Sequence, residues 1–118
     1  MGEANEIRRI TEKIKKFRDE RDWKQFHNHK DVALSLVLEA TEVLEHFQWK
    51  KPEEVDAHAV ACKDEIADEL ADVAIYLLEL ADNLEIDLSK AIDLKMKKNA
   101  LKYPVEKAKG RHAKYNQF

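Results

Sequence analysis

The sequence predicts an all-α fold of the four-helix-bundle type, completed by dimerisation. Only two glycines and two prolines interrupt 118 residues, so strand and turn signals are sparse. Apolar residues recur at three- and four-residue spacing along most of the chain. The stretch over residues 65–76, EIADELADVAIY, is apolar over more than half its girth as a helix. Such a helix is central and packed on more than one side. A chain this short needs a partner to cover it, so a homo-oligomer is expected.

Charged residues make up 38% and hydrophobic ones 44%, enough for one domain over residues 1–118 ending in a basic tail over 105–118. A net charge of −3 gives no general attraction to nucleic acid or to an acidic membrane. One cysteine, Cys62, excludes an internal disulfide and fits a cytoplasmic protein. The opening MGEANEIRR has no apolar h-region, and no apolar run is long enough to span a bilayer, so neither leader nor membrane anchor is expected.

Ile7, Ile10, Ile14 and Phe17 form one stripe of a first, outer helix over residues 4–20. RDWKQFHNHK, residues 21–30, breaks the period. A loop this rich in aromatics is tucked under a neighbour or belongs to a binding surface. Asp31 is the expected N-cap of a second helix reaching about Trp49, with Ala33, Leu36, Val37, Ala40, Leu44 and Phe47 as its core stripe. On it Glu39 and Glu42 turn away from that stripe, Glu39 near its edge beside Val43. Pro52 ends this helix, and residues 53–63 read as a polar connection with helical potential. The central helix runs to about Asn83. Asp87 caps a last strong helix over residues 88–103, closed by Pro104. Its apolar face holds Leu88, Ala91 and Ile92, and Lys95 and Asn99 project from the same face. An inward lysine calls for an anion.

On the central helix Glu65, Glu69, Asp72 and Tyr76 stack on one narrow stripe beside the core, with Asp68 and Glu79 at its edge. Like charges at this spacing repel, and partial burial worsens it. A cation in the stripe removes the penalty. Antiparallel packing would bring Glu39 and Glu42 to Glu69 and Asp72 as four carboxylates. An all-oxygen set suits Mg²⁺, with Mn²⁺ as a substitute. Magnesium held by carboxylates takes further ligands from substrate phosphates. Lys95 and Asn99 can contact such phosphates, Tyr76 a sugar or phosphate, and Trp23 or Trp49 can stack on a base.

Each of these residues also has a plain reading. Glu-x-x-Glu is common on solvated helices. Tryptophans belong first to cores and interfaces, and Lys95 can snorkel. His27 and His29 lack a third ligand and a cysteine pair, which argues against zinc. His46 reads as a surface residue and Cys62 as a small half-buried one. What favours a site is coincidence: acids on two helices, one set on an otherwise apolar helix, with an inward lysine and asparagine.

Glu39-x-x-Glu42 followed by Glu69-x-x-Asp72 resembles the signature of the MazG-like, all-α nucleoside triphosphate pyrophosphatases. RDWKQFH (residues 21–27), EATEVLEHFQWK (39–50), DELADVAIYLLELA (68–81), DLSKAIDLKMKKNALKYPV (87–105) and KGRHAKY (109–115) resemble, in order and spacing, the blocks of the dCTP pyrophosphatase branch. The resemblance implies a Mg²⁺-dependent hydrolase that cleaves a nucleotide between the α and β phosphates, as a homotetramer serving nucleotide-pool house-cleaning. It implies Glu39, Glu42, Glu69 and Asp72 as metal ligands, Glu42 or Glu39 as base, and Lys95 as a catalytic group. Lys95 and Asn99 would hold phosphates, Tyr76 would lie beside the sugar, and Trp23 and Trp49 would border the base. Related dCTP enzymes can place a histidine near the base about where Ile14 stands, a departure that bears on base preference.

Three rivals use other features. A non-catalytic helical interaction protein would use the acid stripe as a solvated or partner-binding face. A di-iron bundle needs Glu-x-x-His pairs, and Asp72 stands where the histidine would be. A nucleic-acid binder would rely on the basic tail alone.

Overall fold

The computed structural model describes residues 3–112 and residue 116, with side chains from Glu6 onward. Residues 113–115 of the KGRHAKY block lie outside the described residues, as do the first two of the opening stretch. The described residues form helices α1 (Glu3–Glu20), α2 (His29–Glu45), α3 (Pro52–Ala61), α4 (Lys63–Asn83), α5 (Leu88–Lys102) and α6 (Val105–Ala108), with a 3₁₀ turn at Lys24–Phe26. No strand occurs among them, and none of their helices is long and apolar enough to cross a membrane. The chain clusters into two compact units that divide between Ile86 and Asp87.

In the first unit α4 is the hub, packed against α2, α1 and α3, as its broad apolar girth requires. The N-cap of α2 is Asn28 rather than Asp31. The Asn28 side chain accepts the Asp31 amide at 2.9 Å, and its Nδ2 donates to the Asp31 carboxylate at 2.8 Å. Both residues suit a cap; the extended backbone of Asn28 decides between them. The helix also stops earlier than expected, at Glu45. The connection after it is helical: Pro52 stands in the first turn of α3, where its missing N–H costs nothing, and Glu53 and Glu54 favour the helix N-terminus. Cys62 separates α3 from α4 with φ −111° and ψ 26°.

Two helix ends close in the Schellman pattern. Asp22 (φ 56°) ends α1, with the Trp23 amide donating to Arg18 O at 3.1 Å and the Asp22 amide to Asp19 O. Trp23 then packs edge-on against Phe17, ring centroids 5.9 Å apart. Glu85 (φ 57°) ends α4 in the same way, the Ile86 amide reaching Ala81 O at 2.8 Å.

In the second unit Asp87 caps α5 as expected, accepting the Lys90 amide at 3.1 Å. Pro104 separates α5 from the four-residue α6.

Candidate active site

The face of α2 that is covered differs from the stripe its sequence suggests. Val32 is 2% exposed, and Leu36, Glu39, Val43 and His46 follow it at helical spacing, all half-buried. Val37 and Leu44, expected in the core, are 60% and 55% exposed. Apolar residues run around most of the first half of α2, so its own pattern leaves the inward direction open, and α4 sets it. Glu39 thereby comes to lie along the covered face and not at its edge.

This turn brings carboxylates of two helices into one field. Burial raises Glu39 above its ordinary value; the negative charges of Glu42, Asp72 and Glu69, and a hydrogen bond shared with Glu42, push the same way. Tyr76 is raised by burial and by the charges of Glu39, Asp72 and Glu79, partly offset by a hydrogen bond with Ser35. The four acids of the sequence motif therefore share one site. Glu69 Oε2 is shielded from solvent and has no hydrogen bond. Its near neighbour, His46 Nε2 at 2.6 Å, is a contact without hydrogen-bond alignment. A buried carboxylate oxygen without a donor, beside three more acids, fits a hard divalent cation.

A cleft of about 530 Å³ opens at the same stripe, lined by α1, the 21–27 loop and α4. Ile14, Phe17, Trp23 and Ile75 give it apolar walls, and Asp72 and Tyr76 a polar edge. Its depth is held by an anchor. His27 Nδ1 hydrogen-bonds Glu79 Oε2 at 2.7 Å, and Glu79 is 2% exposed. That bond fastens the aromatic loop to α4, so the loop is both tucked against a neighbour and part of a concave surface.

Trp23, Asp72 and Tyr76 line the cleft together. Trp49 does not line it and is 87% exposed, in the turn after α2. Lys95 and Asn99 lie one turn apart on α5 of the second unit, Lys95 exposed and Asn99 half-buried. The sequence reading passed over the cleft roles of Phe17, His27 and Glu79, and placed Ile14 near the base only through the resemblance. The signal was present: Glu79 continues the Glu69–Asp72–Tyr76 stripe, and Ile14 and Phe17 share one face of α1.

The model of the MazG-like family matches residues 34–118, which include the paired acids of both helices. The chain belongs to that family. It is 40% identical over 104 residues to dCTP pyrophosphatase 1 of Bos taurus, covering 86% of this chain and 62% of that protein. It is 41% identical to dCTP pyrophosphatase 1 of Rattus norvegicus, covering 86% and 61%. The chain thus spans about three-fifths of the length of these curated relatives. A crystal structure of a pyrophosphatase from Archaeoglobus fulgidus DSM 4304 superposes with a TM-score of 0.80 at 39% identity, over 84% of this chain and 93% of that one.

Proposed function

We propose that this protein is a Mg²⁺-dependent nucleoside triphosphate pyrophosphohydrolase acting on dCTP or related deoxynucleotides, yielding a monophosphate and pyrophosphate. The observation that carries the reading is the shared field of Glu39, Glu42, Glu69 and Asp72, with the orphaned Glu69 oxygen inside it. The relatives named as dCTP pyrophosphatases and the pyrophosphatase fold neighbour support the same activity.

Those four carboxylates would hold Mg²⁺, or Mn²⁺ in its place; when bound, the ion supplies neutralisation of triphosphate charge and polarisation of the α-phosphorus. The chain's own residues do the rest. Glu39 or Glu42 takes the proton of the attacking water. Lys95 and Asn99 bind phosphate oxygens, and Lys95 stabilises charge developing on them. Tyr76 borders the sugar. Trp23 gives the base a stacking surface in the cleft, whereas Trp49 stands outside that cleft on the single chain. Ile14 on the cleft wall makes that part of the base site apolar.

The working form is a homo-oligomer, a dimer or a tetramer, in the cytoplasm. Leu34, Val37, Leu38 and Leu44 of α2 and Leu70 of α4, each more than half exposed on the single chain, support it. The lone Cys62 fits a reducing compartment.

Asp72→Ala tests the site. Pyrophosphate release in Mg²⁺ is expected to fall by about 10²-fold or more, with the helical circular dichroism kept. Full activity in that variant would overturn the carboxylate site.

A further inference from the structure

We propose that His46, His58 and Cys62 form a second metal site on the first unit, suited to Zn²⁺ and bordering the carboxylate stripe at Glu69. One ligand atom from each of these three half-buried residues lies within 4.8 Å of the others. His46 Nδ1 is 3.1 Å from His58 Nε2, and Cys62 Sγ is 3.8 Å from His58 Nδ1. Ligands on one tetrahedral zinc stand about 3.4 Å apart for two nitrogens and about 3.6 Å for nitrogen and sulfur, from the usual bond lengths. The pairs are therefore near ligand spacing already. His58 meets its two neighbours with opposite ring nitrogens, only one of which can bind the ion, so closure requires side-chain rotation.

The donor set chooses the ion. Two imidazoles and a thiolate are borderline-soft and suit Zn²⁺ far better than Mg²⁺. Three protein ligands leave a fourth position for water. The other nitrogen of His46 lies 2.6 Å from Glu69 Oε2, so the site borders the carboxylate stripe at that residue. Cys62 ligates as thiolate, its proton passing to solvent.

The placement gives the site its work. His46 caps the end of α2, His58 lies on α3, and Cys62 is the break between α3 and α4. One ion would tie α3 to the end of α2 and to the α3–α4 break. The spacing His46-x₁₁-His58-x₃-Cys62 is not a familiar zinc motif, and only the fold brings the first histidine to the other two.

The test is a titration of the metal-free full chain with Co²⁺, then Zn²⁺. With excess Mg²⁺ occupying the carboxylates, we expect a thiolate-to-cobalt charge-transfer band in the near ultraviolet that saturates at one Co²⁺ per chain, and its loss when Zn²⁺ displaces cobalt. Excess Mg²⁺ leaves the band intact, and so does Asp72→Ala. Cys62→Ser removes the band, and His58→Ala weakens binding by more than about tenfold. Zn²⁺ raises the melting temperature of the wild type and not of Cys62→Ser. No band in the wild type, a band that survives Cys62→Ser, or unchanged affinity in His58→Ala would each overturn the site.

Discussion

Glu39 concentrates the electrostatics of the site. Its folded pKa lies above the ordinary value of 4.5, with burial the first cause and Glu42, Asp72 and Glu69 behind it. The folded chain therefore grips this proton more tightly than the unfolded chain does. Its contribution favours folding below about pH 4.5 and is lost as pH rises through the folded value. Without metal, Glu39→Gln should be more stable than the wild type at neutral pH, and the gap should close in acid and on adding Mg²⁺. Urea midpoints over a pH series, with and without Mg²⁺, measure this. A gap independent of pH would contradict the crowding of acids. Glu69 and Asp72 stood out in the sequence because carboxylates on an apolar helix are costly without a partner, whereas Glu39 and Glu42 stood out only beside them and through the resemblance. The convergence of His46, His58 and Cys62 was not legible, because each alone is unremarkable and only the α2 end and the α3–α4 break bring them together.

At the scale of elements, the caps were partly legible. Asp87 could be read directly, whereas Asn28 and Asp31 compete and only the backbone decides. Asn28→Ala should cost about 1 kcal/mol, read as a lower denaturant midpoint with unchanged slope. If Asp31→Ala cost as much and Asn28→Ala nothing, the cap would be misassigned. Helix α3 was half-legible, since Pro52-Glu53-Glu54 is a sound helix start, but its apolar pattern is weak. The inward face of α2 was not legible, because apolar residues surround it and packing on α4 sets its rotation.

For the whole molecule, the all-α class was written in the scarcity of breakers and the breadth of apolar α4. Little of that apolar surface is covered within a single chain: Val32 and Ala81 are its buried hydrophobic residues among those described. Sedimentation should therefore give a dimer or tetramer, and Leu38→Glu on the exposed side of α2 should shift it toward monomer; a monomeric wild type would contradict the assembly. The central claim is chemical, and one assay meets it directly. Pyrophosphate release is measured from the eight common ribo- and deoxynucleoside triphosphates, with and without Mg²⁺. The account predicts Mg²⁺-dependent release that favours dCTP, with the monophosphate as the other product. No release from any of them, nor from methylated or halogenated dCTP, would contradict it and leave a helical oligomer whose acid stripe serves another end.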